Sequence, residues 1–212
     1  KRTDDFDPPK YNKSKSTKLN YVTKYVYRDV DGTTLFEKVR FLDANGKKTF
    51  RQRRQDGDGE WTYKLGSTPK VLYNLPEVLR AKEANESIFI VEGEKDCDTL
   101  SKLSACATTM PGGAGKWLDI HTETLAGATV DIIADDDEPG WRHALHVHEE
   151  LSGAGCDAKI WKCPSAKDIT DHIEAGGTTA ELIEGLSSRI VRSRMSSMIR
   201  RRTICHLQQN RT

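Results

Sequence analysis

Three carboxylates stand out by type and place. Glu92 follows the apolar run IFIV at 88–91, and Asp135 and Asp137 follow VDIIA at 130–134. Being i and i+2, the two aspartates leave the carboxyl end of a buried strand together, as Glu92 leaves another. Where such strands are neighbours the three acids converge, and like charges crowded that closely call for a neutralising cation. Magnesium suits the place. It takes oxygen ligands, keeps several waters, and is typically held by one or two carboxylates while substrate phosphates complete its shell. Helix caps and solvated loop acids are the competing reading of the same residues.

The elements that must position these acids are legible around them. From Ser87 the pattern alternates between short apolar strands (88–91, 107–110, 130–134, 158–162) and helical spacing. The predicted helices are EKDCDTLSKL, the stretch from Pro139 to Ser152, DITDHIEAG and TTAELIEGL. This reads as an α/β fold with a parallel sheet covered by helices on both faces, in which ligands sit at the carboxyl ends of the strands. Residues 21–64 differ: aromatic and β-branched runs are punctuated by Asp31-Gly32, Asn45-Gly46, Asp56-Gly57 and Asp58-Gly59, which supply positive φ in tight hairpins. A small β-meander is predicted there, followed by a short helix opened by Pro76. The expected organisation is a flexible arm over 1–18, a basic β-rich subdomain over 19–85, the α/β domain over 86–188 and a basic tail over 189–212. For the tail, a nucleic-acid arm, a disordered end and residues foreign to the domain stay open.

A formal net charge of +1 hides an asymmetry. Residues 1–80 hold 18 Lys/Arg against 11 Asp/Glu (+7), residues 81–188 hold 8 against 21 (−13), and residues 189–212 hold 7 against none (+7). Basic ends suit a polyanion and an acidic centre suits cations. In the meander, Lys38, Arg40, Lys47, Lys48, Arg51, Arg53 and Arg54 are mixed with Phe36, Phe41, Phe50, Trp61 and Tyr63. Cations for phosphates and aromatics for unpaired bases are the ingredients of a single-strand groove, although some of these aromatics must form the subdomain's own core.

Other features narrow the classes. Five cysteines without C-x-x-C spacing indicate neither a disulfide framework nor a zinc ribbon. No run approaches a membrane span and the charged first residues do not read as a signal peptide, so no membrane partner and a cytoplasmic setting are expected. The absence of an initial Met suggests a fragment of a longer protein. Pro111-Gly-Gly-Ala-Gly-Lys116 is too short between its glycines for a Walker loop, and Trp117 stands where Ser or Thr is needed; Lys116 is kept only as a candidate phosphate contact. His143 and His146 share a helix face that His148 does not, which is a poor zinc set.

Two segments carry a family resemblance. Residues 88–96, IFIVEGEKD, resemble the first motif of the TOPRIM superfamily, an apolar strand followed by E-G-x-x-D. Residues 131–140, DIIADDDEPG, resemble its second, an apolar strand followed by D-x-D and a glycine. The superfamily takes in bacterial and phage primases, type IA and type II topoisomerases, certain nucleases and recombination proteins. Residues 167–175, KDITDHIEA, are similar to the K-D-x-x-[DE] stretch of phage-type primases; other primases space that acidic pair one residue closer. LYNLPEVLRA and TTMPGGAGKW are similar to segments of phage and mobile-element proteins associated with replicative helicases.

The resemblance covers roughly residues 21 to 185. It implies a TOPRIM-like fold and a DNA primase core making short RNA primers from ribonucleoside triphosphates on single-stranded DNA, with Mg2+ or Mn2+ as cofactor. Glu92 would be the general acid/base, Asp135, Asp137 and Asp168 metal-holding, and Gly93, Asp96 and Lys167 supporting; the meander would hold template. Two rivals remain: another TOPRIM enzyme, a nuclease or topoisomerase-related fragment, and a non-catalytic DNA-binding, helicase-recruiting module. A topoisomerase needs a nucleophilic Tyr in a separate domain, for which this length leaves no room.

Overall fold

The computed structural model describes residues 19–185; the expected arm over 1–18 and tail over 189–212 lie outside the described residues. Aromatic and β-branched residues at alternate positions build an antiparallel meander of β1 (Asn20–Arg28), β2 (Thr34–Leu42), β3 (Lys48–Gln55) and β4 (Trp61–Thr62). One turn device recurs at all three hairpins. The carboxylates of Asp29, Asp43 and Asp56 each accept the amides two and four residues on, and Gly32, Gly46 and Gly59 take φ of 81°, 77° and 82°. Asp56-Gly57 was expected to supply positive φ as well, but only Gly59 of that loop does so, because the turn needs the left-handed residue at its fourth position.

The second unit runs α1 (Leu75–Glu83), β5 (Ile88–Ile90), α2 (Glu94–Ser101), β6 (Ala107–Thr108), α3 (Asp119–Leu125), β7 (Thr129–Ala134), α4 (Glu138–Gly153), β8 (Asp157–Lys162), α5 (Ile169–Glu174) and β9 (Ile183–Glu184). The sheet order is β6-β5-β7-β8-β9, with the first four strands parallel and β9 antiparallel to β8. This is the α/β architecture implied by the alternation, with two differences. The predicted helix TTAELIEGL is a 3-10 turn at Thr179–Glu181 followed by β9, since pairing with the open edge of β8 outweighs the helical spacing. The helix α3 had no periodic apolar stripe to announce it; it is seated by its buried His121 and Leu125.

Both faces of the sheet are covered. Ile88, Ile90, Val130 and Ile132 pack with Val78 of α1, Leu125 of α3 and Val147 and Leu151 of α4. On the other face Val91 and Ile133 pack with Cys97 and Leu100 of α2 and Ile169 of α5, and this cluster continues into the meander through Tyr25, Tyr27 and Phe36. Burying a side chain such as Ile or Phe contributes about 1.5–3 kcal/mol, so the meander is fastened to α2 and β5 by a common apolar layer. No described helix is long and apolar enough to cross a membrane.

Candidate active site

β5 and β7 are neighbours at the centre of the sheet, paired in register Ile88↔Val130 and Ile90↔Ile132. Glu92 and Asp135 therefore leave adjacent strand ends. Both line a cleft of about 630 Å³ whose other wall is the meander, through Lys38, Phe50 and Tyr63. The Thr109 hydroxyl donates to the Glu92 carbonyl at 3.0 Å and fixes the backbone there. Burial raises the Glu92 carboxyl above its usual value, with Asp137 adding to the rise and Lys167 opposing it. Burial, then the charges of Glu92, Asp96 and Asp168, push Asp135 up to about 7. The acids thus share one electrostatic neighbourhood.

Asp137 and Asp168 are both helix caps. Asp137 caps α4, its Oδ1 accepting the Gly140 amide at 2.9 Å, and Asp168 caps α5, its Oδ1 accepting the Asp171 amide at 2.7 Å. Each cap occupies one carboxylate oxygen, so metal ligand and helix cap are compatible roles rather than rivals. Asp171, the second acid of the K-D-x-x-D stretch, is exposed. The Lys167 ammonium lies 3.4 Å from Asp137 Oδ2.

Two glycines let backbone approach this cluster. A Cβ on Gly140 would stand 2.7 Å from the Asp135 carbonyl oxygen, so α4 can begin against the D-x-D strand only with glycine there. A Cβ on Gly93 would stand 3.2 Å from Asp96 Oδ2. Asp96 itself is buried and accepts the Thr170 hydroxyl through Oδ1.

The predicted basic residues divide by environment. Lys38 lies 2.8 Å from the buried Glu94 and over the Phe50 ring at 5.0 Å. Arg53 is buried, donates to Glu37 at 2.7 and 2.9 Å, and stacks on Trp61 at 3.9 Å. Arg54 donates to the carbonyls of Lys64 and Gln55, and Arg40 is half-buried with its Nε unpartnered in the interior. Lys47, Lys48 and Arg51 are exposed. Charge available to a polyanion is therefore concentrated at the β2–β3 turn and along β3. Phe36 and Phe41 are core, whereas Phe50 and Trp61 keep 46% and 40% of their surface exposed. Lys116 is exposed, and its stem covers Gly112 at the cleft wall. His143 is buried and accepts the Gly115 amide at 3.3 Å, so it orders the glycine-rich loop.

Hard carboxylate oxygens, with Asp135 held near 7 by burial and like charge, suit an oxygen-seeking dication whose charge would favour the ionised form. Among the described residues no three His, Cys, Asp or Glu side chains form a ready-made cage. Sequence reasoning missed Glu94, Tyr27 and Thr170. The Tyr27 hydroxyl donates to Glu94 at 2.6 Å across 67 residues, and no local pattern signals such a pairing.

No family model matches the chain. Over 132 residues it is 30% identical to the Gene 57 protein of Mycobacterium phage D29, an alignment covering 62% of this chain and 81% of that protein. The chain belongs to that protein's family. Among solved structures, a DNA primase domain from Pseudomonas aeruginosa superposes with a TM-score of 0.58 at 18% identity, over 76% of this chain and 51% of that one. A DnaG primase catalytic domain bound to ssDNA gives 0.56 at 18% identity, over 82% and 61%. The RNA polymerase domain of Mycobacterium tuberculosis primase gives 0.56 at 15%, over 74% and 52%. The chain spans about half to three fifths of the length of these structures. The fold is primase-like.

Proposed function

We propose that this chain is the catalytic core of a TOPRIM-type DNA primase of phage or mobile-element kind, a cytoplasmic nucleotidyltransferase making short RNA primers on single-stranded DNA. The observation carrying this reading is the placement of Glu92 and Asp135 on adjacent central strand ends, across one cleft from Lys38, Phe50 and Tyr63. Template would run along the exposed Lys47, Lys48 and Arg51, with ribonucleoside triphosphates entering the cleft beside Gly112, Gly113 and Lys116. A replicative helicase is the expected partner in the whole protein.

Primer synthesis needs a 3′-hydroxyl deprotonated and phosphoryl charge neutralised. Glu92, its carboxyl raised by burial and by Asp137, is suited to receive that proton. Asp135, Asp137 and Asp168 would hold Mg2+ or Mn2+, which when bound supplies charge neutralisation at the phosphates. Asp96 and Gly93 support Glu92, and Lys167 balances the acids. The test is ribonucleotide polymerisation on varied single-stranded templates by the wild-type chain, Glu92→Gln and Asp135→Asn. Template-dependent synthesis that survives both substitutions would sink the reading, and DNA degradation without ribonucleotides would replace it with a nuclease.

A further inference from the structure

The acids of the candidate site sit on separate elements, and only some of those elements are tied by the sheet. β5 and β7 fix Glu92 against Asp135. Asp168 lies at the end of the β8–α5 loop, outside any strand; the Lys167 carbonyl beside it accepts the Asp136 amide at 2.8 Å and ties it to the D-x-D turn, but the sheet does not tie α5 to the Glu92 side. The buried Asp96 of α2 spans that gap. Its Oδ1 accepts the hydroxyl of Thr170, two residues after Asp168, and its Oδ2 lies against Gly93, the residue after Glu92. Thr170 is 1% exposed, and its hydroxyl lies 3.2 Å from that of Thr99, which donates to the Lys95 carbonyl. Each hydroxyl in the chain Thr170–Thr99–Lys95 has a buried partner, so the junction between α2 and α5 is a satisfied polar strut inside an otherwise apolar contact.

We propose that Thr170 is a positioning residue whose hydroxyl, received by Asp96, holds α5 against α2 and sets Asp168 relative to Glu92. The proposal rests on the metal-dependent reading of the site. It gives Asp96 a different task from Asp135: Asp96 is a brace with Oδ1 already occupied.

Threonine to valine keeps the shape and the amide and removes only the hydroxyl, and serine restores the hydroxyl. Mn2+ titration of the full chain followed by electron paramagnetic resonance, alongside the Mg2+ dependence of primer synthesis and a thermal melt, reads the effect. Thr170→Val is expected to bind Mn2+ about 10-fold more weakly and to need correspondingly more Mg2+, the order set by losing one buried hydrogen bond to a charged group. Thr170→Ser should return to within about 2-fold of wild type, since the same bond is remade. Asp96→Asn keeps an acceptor for Thr170 and should weaken Mn2+ binding less than Thr170→Val, so the assignment stays testable if the valine variant does not fold. Valine binding Mn2+ as wild type does, even with a lowered melting temperature, overturns the proposal, as does serine behaving like valine. Loss of all binding in Asp96→Asn would make Asp96 a ligand and overturn it too. If the wild-type chain binds no Mn2+ and Asp135→Asn changes nothing, the metal reading fails first and the proposal falls with it.

Discussion

The Lys167 ammonium stands 3.4 Å from Asp137 Oδ2, while the Lys167 carbonyl accepts the Asp136 amide at 2.8 Å. One residue thus braces the D-x-D turn through its backbone and offsets its charge through its side chain. The side chain is largely exposed, so the pair is weak and displaceable. Lys167→Met is expected to bind Mn2+ roughly 1.5- to 5-fold more tightly, the scale of an exposed ion pair. A Mn2+ titration checks this, and unchanged or weaker binding would show that Lys167 does not compete with the ion.

Asp135 yields a pH prediction with a definite sign. Its folded value, about 7, lies above the ordinary 3.8, so between those values the folded chain binds more protons than the unfolded one. Its ionisation therefore removes metal-free stability as pH rises from about 4 to 7. His143 acts oppositely: burial lowers it to about 4, so stability is lost as pH falls from 6.5 towards 4. Comparing Asp135→Asn with wild type isolates the first effect. In chelator the variant should be more stable than wild type, with an advantage that grows across pH 4–7 to on the order of 1–2 kcal/mol after allowance for solvent screening. Urea unfolding at several pH values tests it.

Gly140→Ala places a Cβ 2.7 Å from the Asp135 carbonyl oxygen, against backbone that cannot rotate aside. The expected cost is about 1–3 kcal/mol. The displaced strand end should also lower primer synthesis at every metal concentration. Thermal unfolding and a metal titration of the rate separate the two effects.

On the meander, stacking and charge should part company. Trp61→Ala or Phe50→Ala is expected to weaken single-strand binding by about 5-fold or more, with the salt dependence unchanged. Lys48→Ala or Arg51→Ala should instead flatten the slope of log affinity against log salt by about 1. Arg53→Met should mostly destabilise the fold, since it leaves Glu37 buried without its closest cation. Fluorescence anisotropy at several salt concentrations distinguishes these classes.

Glu94→Gln and Tyr27→Phe test the joint between the two units. Removing one partner of a buried ion pair costs about 3–5 kcal/mol, so Glu94→Gln should melt at a clearly lower temperature. A single unfolding transition is expected of the wild-type chain, and two separated transitions there would contradict the joint.

The alternating sheet and the acids at its strand ends were legible because both are local: an apolar run ending in a carboxylate announces itself. The hairpins were legible for the same reason, through Asp29, Asp43, Asp56 and their glycines. What local pattern does not carry is pairing across the chain. Glu94 reads as an ordinary acid at a helix start, yet it is the buried partner of Tyr27 and Lys38. Lys38 and Arg53 count as free cations in a composition and are neutralised in the fold. Helix α3 and strand β9 are each decided by a distant neighbour, His121 against the Lys70 carbonyl in one case and the β8 edge in the other.

The Glu94 contacts also bear on how such a protein can be rearranged. A boundary near residue 86 falls between the two sheets, yet Tyr27 and Lys38 lie before it and Glu94 after it. A swap at that point keeps the buried acid paired only where the incoming meander supplies a hydroxyl and a cation at the positions of Tyr27 and Lys38. Chimaeras that lack them should be rescued by inheriting β1, β2 and α2 from one parent.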